Sequence, residues 1–326
     1  MTQATDNRRV HDNGGGAAPP PLYTHVRHRR LDLDGLEVFY RECGPPDAPL
    51  VVLAHGYPCS SFEFRNLMPL LGDRWRMLAP DFPASGFSAT PAGFDYTFGG
   101  FAIFLDQFLD RVGVARDQRF ALYLHDFGTW IGLQLALRRP GQLAALIVQN
   151  GDIYEDALGD KYESLLKVVA LPEEEALRSL RSGMTREEWE REFLNGVPQG
   201  GDHAARMPPE LLALHWQLAT EERKDIQARV ILGWKENFEW FPRYQVWLRE
   251  HRPPTLITWG TRDGYMPEKS ARAWLRDVPD AELDLHGDGG HWLLETHLPQ
   301  VAGRMRDFLG RHHAGPLVAD SGGLLA

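Results

Sequence analysis

Of 326 residues only two are cysteine, Cys43 and Cys59. No disulfide framework can hold such a chain, so its stability has to come from a hydrophobic core, and a reducing compartment suits it. No apolar run approaches the roughly 20 residues that spanning a bilayer requires. Positive charge is short as well. The 35 Lys and Arg face 45 Asp and Glu, a formal charge of −10, which argues against nucleic acid or an anionic membrane as partner. An apolar signal core is missing: Arg8-Arg9 runs into Val10-His11-Asp12-Asn13 and three glycines, so a cytoplasmic location is expected. No serine sits in a Gly-x-Ser-x-Gly frame, which excludes the usual serine esterase. No glycine-rich phosphate loop follows the first buried strand, and His286, His291 and His297 lack zinc-site spacing. Neither a metal nor a cofactor is expected.

What is present is a chain 43% hydrophobic and 11% aromatic, enough for a sizeable core. Residues 1–22, with Gly14-Gly15-Gly16 and Pro19-Pro20-Pro21, read as a disordered arm. Asp34-Gly35 between two alternating runs predicts a hairpin. Leu50–Ala54 and Leu143–Val148 are short apolar runs of the kind buried in parallel sheets, and further strands are expected at Arg76–Asp81, Leu122–His125, Leu256–Trp259 and Ala281–Leu285. Helical spacing recurs between them, from Tyr96 to Val112 and from about Glu295 to Gly310. The expected class is α/β, with 23–150 and 253–312 forming one sheet domain. Residues 151–252 differ: charged helical segments, such as Pro208 to Glu222, alternate with many aromatics and predict an all-helical insertion. The tail 313–326 reads as loose.

The most informative stretch is Leu122-Tyr123-Leu124-His125-Asp126-Phe127-Gly128-Thr129-Trp130. A strand ends at His125 and a helix follows, so Asp126 stands at a sharp turn where backbone N–H groups of the new helix face the reacting atom. A carboxylate there points to displacement at a saturated carbon through an ester. Cleaving that ester requires a base to activate water, normally a histidine oriented by a second carboxylate. Asp263 follows one strand in Trp259-Gly260-Thr261-Arg262-Asp263, and His291 follows the last in Gly289-Gly290-His291-Trp292. Asp152, beyond another strand end, is the alternative orienting acid. Alone, Asp126 could equally cap a helix and Asp263 could start a turn. Three such groups at three strand ends, in the order nucleophile, acid, histidine, favour chemistry. His55-Gly56-Tyr57-Pro58 follows a buried strand where an oxyanion hole belongs, making Tyr57 and Phe127 N–H the natural donor pair.

Over residues 30–311 the chain resembles the branch of the α/β-hydrolase superfamily that holds epoxide hydrolases and haloalkane dehalogenases. The His-Gly-x-Pro element, Pro80-Asp81, His125-Asp126-Phe127-Gly128 and Gly290-His291 carry the likeness. It implies a mostly parallel eight-stranded sheet, a helical cap at 151–252, Asp126 as nucleophile, and His291 with Asp263 as the water-activating pair. Haloalkane dehalogenases hold halide with an asparagine and a tryptophan where this chain has Tyr57 and Phe127, and phenylalanine donates nothing. Fluoroacetate dehalogenases carry an arginine at the position of Phe127. Epoxide hydrolases accept Phe127, so an epoxide hydrolase acting through an Asp126 ester is the expected function. A haloalkane or haloacid dehalogenase is the alternative, and a non-catalytic binding protein the rival of another class. Trp234-Lys235-Glu236-Asn237 stands where that family has Tyr-Arg-x-Asn, so Tyr154, Tyr162 or Tyr244 is expected to supply the proton. His55, Trp234 and Trp292 complete the expected pocket. The many aromatics of the insertion favour a bulky or aromatic, apolar small-molecule substrate over a small haloacid, and a monomer or homodimer is expected.

Overall fold

The computed structural model describes residues 24–314. The expected arm at 1–22, and the tail beyond 314, lie outside the described residues. His313 is held in place: it accepts from Trp75 Nε1 at 3.0 Å through its carbonyl, and its Nε2 lies 2.9 Å from the Leu50 carbonyl.

Eight strands form one sheet: β1 (Arg27–Leu33), β2 (Leu36–Cys43), β3 (Leu50–Ala54), β4 (Arg76–Pro80), β5 (Phe120–His125), β6 (Leu143–Gln149), β7 (Thr255–Gly260) and β8 (Glu282–His286). Their order across the sheet is β1-β2-β4-β3-β5-β6-β7-β8. β2 is antiparallel to β1 and β4, and every other pairing is parallel. The β1–β2 hairpin turns at Asp34 and Gly35, both at positive φ (53° and 90°), as a tight two-residue turn requires.

Parallel strands need crossovers on both faces, so their residues are buried on both sides. Every residue of β3, β5 and β6 is buried accordingly. Successive side chains of β5 point opposite ways. Leu122 and Leu124 join the core beneath helices Phe98–Arg111 and Phe127–Arg138; Ala121 and Tyr123 join the core beneath helix Leu298–His312. Each large side chain buried this way contributes about 1.5–3 kcal/mol, which fixes β5 and the turn after it.

Between β6 and β7 the chain is helical throughout, with α-helices at Lys161–Val169, Glu173–Gly183, Arg186–Phe193, Asp202–Arg206, Pro209–Leu218, Glu221–Leu232 and Asn237–His251. The single helix expected from Pro208 to Glu222 is instead two. Thr220 starts the second by accepting the Arg223 N–H at 3.3 Å, and a cap of that kind outcompetes continuation. The final helix likewise begins at Leu298, after a short turn of helix at Leu293–Thr296 that breaks at His297. No helix among the described residues is long and apolar enough to cross a membrane.

Candidate active site

In a parallel α/β sheet the loops at the carboxyl ends of the strands gather on one side. Here the loops after β3, β5, β6, β7 and β8 bring Tyr57, Asp126, Asn150, Asp263 and His291 together. β5 stops at His125, and Asp126 takes φ 51° and ψ −124° before the helix begins at Phe127. A non-glycine residue held there stores strain of about 1–3 kcal/mol, tolerated only where the surroundings enforce it. The Asp126 N–H donates to the Asn150 carbonyl at 3.1 Å. Two glycines let the neighbouring loop close in: a Cβ on Gly56 would stand 2.4 Å from Asp126 Cβ, and one on Gly128 would stand 2.2 Å from the Ala54 carbonyl oxygen. The Tyr57 N–H then donates to Asp126 Oδ1 at 2.8 Å.

Asp263 Oδ2 accepts from His291 Nδ1 at 2.6 Å, and His291 Nε2 faces Asp126 Oδ2 at 3.7 Å. Asp263 is fully enclosed by donors. Asn150 Nδ2 reaches Oδ2 at 2.9 Å, while Asn195 Nδ2 and the Tyr265 N–H reach Oδ1 at 2.8 and 2.9 Å. Burial pushes this carboxyl up, but the His291 ring and these donors bring it below its ordinary value. For His291 burial pushes down, yet Asp263, then Asp126 and Glu192, lift it from 6.5 to about 9. Asp152 forms no such pair: both its oxygens are buried without a hydrogen-bond partner. Burial, with Asp126 and Asp263 adding, holds its carboxyl well above the usual range, although the Tyr162 phenol pulls the other way.

The raised His291 value has a sign for stability. A ring that binds its proton more tightly folded than unfolded stabilises in full below pH 6.5, and loses that contribution as pH rises through about 9. The difference in Tm between the parent and His291→Gln should therefore shrink from pH 6.5 to 9 in thermal unfolding. A constant difference would mean that the ring is not charged in the folded protein.

Asp126 and His291 open onto a cavity of about 470 Å³. Of the expected pocket residues Tyr162 and Trp292 line it, together with Phe127 and Tyr57. The other expected residues lie elsewhere for plain reasons. His55 is held between the Gly56 carbonyl and the Phe82 N–H, at 3.0 and 3.1 Å, supporting the loop rather than the cavity. Tyr154 donates to Asp277 at 2.6 Å on another side of the molecule. Tyr244 is fully buried against Gln134 Nε2 at 3.1 Å. Trp234 stands behind the wall, stacked on Tyr162 with centroids 4.7 Å apart.

Of the other wall residues, Trp189 is one of many insertion aromatics with nothing in the sequence to single it out, and Glu192 has no sequence signal. Trp189 and Glu192 lie on Arg186–Phe193, a helix so charged that it reads as solvated. Glu192 accepts from the Tyr265 hydroxyl at 3.1 Å, and its carbonyl accepts from Trp292 Nε1 at 2.9 Å. The Trp189 indole N–H acts against burial on the Tyr57 phenol, whose pKa still ends up raised, yet it meets no acceptor at hydrogen-bond geometry. Asn195 is the least foreseeable: besides Asp263, it receives the His291 N–H on its carbonyl at 3.0 Å. Its one visible clue is Gly196 at φ 75°, packed against Arg262 and Gly290 backbone where no side chain fits.

An eight-stranded, mostly parallel sheet with these loops defines a class, and comparison with known proteins agrees. The chain belongs to the alpha/beta hydrolase fold family, which matches residues 49–298, and it is a hydrolase. It is 31% identical to an uncharacterized hydrolase of Saccharomyces cerevisiae, over 84% of this chain and 94% of that one. Haloalkane dehalogenase 2 of Mycobacterium tuberculosis is 32% identical over 90% and 98%. A cis-3-alkyl-4-alkyloxetan-2-one decarboxylase of Xanthomonas campestris is 26% identical over 87% and 96%. Among solved structures, haloalkane dehalogenase DbeA from Bradyrhizobium elkani superposes with a TM-score of 0.73 at 22% identity, covering 88% of this chain and 98% of that one, a likeness of fold.

Proposed function

We propose that the protein is an epoxide hydrolase acting through an ester on Asp126. The observation that carries this reading is the make-up of the cavity: Tyr57, Tyr162 and Tyr265 line it together with Asp126, while positions 57 and 127 offer no side-chain N–H for a halide. One Asp126 oxygen attacks an epoxide carbon, and the C–O bond breaks. The departing oxygen takes the Tyr162 proton and becomes a hydroxyl. Burial, then the charges of Asp152, Asp126 and Asp263, hold that phenol well above its ordinary pKa, so it stands protonated before attack. With the Asp126 charge gone, His291 passes its resting proton to the Tyr162 phenolate; water then adds to the ester carbonyl, giving its proton to His291 Nε2. Tyr57 N–H, and Phe127 N–H at the unpaired start of its helix, receive the developing oxyanion. Collapse, with the proton of the newly added hydroxyl passing to the departing alkoxide, releases a vicinal diol and restores the Asp126 carboxylate beside the His291 imidazolium. Phe127, Leu180, Met184 and Trp292 make an apolar wall suited to an aryl or alkyl epoxide. In this reading the helices between β6 and β7 act as the cap.

A dehalogenase is the second reading, favoured by the unpartnered Trp189 N–H on the cavity wall and by the dehalogenase relative. Both leaving groups can be offered in one experiment, as matched panels of aryl epoxides and bromoalkanes. Diol formation is expected to exceed halide release at least about tenfold, and Tyr162→Phe should lower it by about 10²-fold. Halide release without diol would transfer the assignment to the dehalogenase, with Trp189→Phe then the damaging variant.

A further inference from the structure

Away from the cavity, the fold assembles a second group of donors that sequence spacing conceals. His203 lies on the short helix Asp202–Arg206 of the insertion, Asp288 in the loop after β8, and His297 at the break before the last helix. His203 Nε2 stands 2.9 Å from Asp288 Oδ2, and His297 Nε2 stands 3.1 Å from Asp288 Oδ1. All three ligand atoms fall within 4.8 Å of one another. Donors around a tetrahedral zinc ion, bound at about 2.0–2.1 Å, are separated by about 3.3 Å, and each histidine already stands at nearly that distance from one of the two Asp288 oxygens.

A self-contained hydrogen-bonded cluster would need both Nε2 atoms to carry protons toward Asp288. The surroundings of His297 point to the other tautomer. Its Nδ1 lies 2.9 Å from Thr296 Oγ1, and that hydroxyl has the Trp292 carbonyl at 3.3 Å to donate to. Thr296 then accepts from Nδ1–H, and the Nε2 lone pair faces a carboxylate, an arrangement relieved by a metal ion between them or by protonation of the ring. A hydrogen bond of this kind on the far ring nitrogen is how metal-ligating histidines are oriented. His203 Nδ1 is buried with no partner, so nothing there opposes ligation through Nε2. His286, 5.0 Å away between ring centroids, is engaged with Asp284 and stays outside the set.

We propose that His203, Asp288 and His297 bind one borderline divalent ion, zinc foremost, with solvent completing the shell. Because Asp288 and His297 flank His291 in sequence, the ion would tie the insertion to the loop bearing that histidine, reinforcing the Arg206 Nη1 bond to the Thr296 carbonyl at 2.7 Å. The test uses full-length, tag-free protein stripped by chelator and titrated with zinc chloride by calorimetry, with cobalt as a visible-absorption probe. One equivalent should bind and raise Tm. His203→Ala and Asp288→Asn, at positions solvent reaches, should lower affinity at least tenfold and abolish the Tm rise. Thr296→Val, which removes only the orienting hydroxyl, should weaken binding by about 10–100-fold. No saturable uptake, or uptake that all three variants leave unchanged, overturns the proposal.

Discussion

A His291→Gln variant is expected to stop halfway, gaining the mass of one epoxide on the peptide that carries Asp126. Glutamine cannot take the proton of the attacking water, so ester formation survives and its cleavage slows by about 10²–10⁴-fold. The electrostatics favour this division of labour. In the resting enzyme Asp263 and Asp126 together hold the His291 ring charged at neutral pH. Alkylation erases the Asp126 charge, one of the groups keeping that proton on, so the ring becomes a better base once there is an ester to cleave. Intact-mass measurement after incubation with aryl epoxides, followed by peptide mapping, reads the outcome. Turnover lost with no adduct from any epoxide or bromoalkane would exclude Asp126 as nucleophile and leave the chain closer to a binding protein.

How much of this could be read from the chain follows from distance. The elbow at Asp126 was legible because its determinants are local: a buried strand, a helix, and small residues at 128 and 132 all lie within a dozen positions. A Cβ on Gly132 would stand 2.2 Å from Leu124 Cδ2, so even that spacing has a packing reason. The strand ends at Asp263 and His291 were legible for the same reason. Orientation within the helical insertion was not. Tyr154, Tyr162, Trp234 and Tyr244 are alike as sequence, and all are buried. Only Tyr162 reaches the cavity, because its helix lies over the loop at Gly264 and Tyr265, where Gly159 N–H donates to the Tyr265 carbonyl at 2.7 Å and Lys161 N–H to the Gly264 carbonyl at 3.2 Å. Asn195 and the His203, Asp288 and His297 group depend on long-range contacts that no period encodes. A charged helix such as Arg186–Phe193 looks solvated until a partner surface is supplied; then one side of it becomes cavity wall.

Asp263→Asn should damage turnover about as severely as any change that leaves the backbone intact, by about 10⁴-fold, an effect known for orienting carboxylates of this kind. The reason lies in its four donors. Asn150 cannot rotate to help, since its Oδ1 accepts from Gly260 N–H at 3.0 Å while its Nδ2 also serves the Gly260 carbonyl at 3.0 Å. Asn195 is pinned the same way, its Oδ1 accepting from Gly264 N–H at 3.2 Å. An amide NH₂ placed at either carboxylate oxygen would meet donors that cannot turn away. If it faces His291, Nδ1 must become the acceptor and Nε2 must carry the proton, the wrong tautomer for a base. Asn195→Ala removes one of the four donors to Asp263, a hydrogen bond to a charged group worth about 1.5–3 kcal/mol, together with the acceptor of the Gly264 N–H, and should leave measurable turnover with reduced Tm. Single-turnover rates of ester cleavage separate the two variants, because both still form the ester. A loss below tenfold in Asp263→Asn would show that another carboxylate orients His291. Asp152 would then be the group to change, and its buried, unpartnered oxygens would acquire the purpose that the present geometry gives to Asp263.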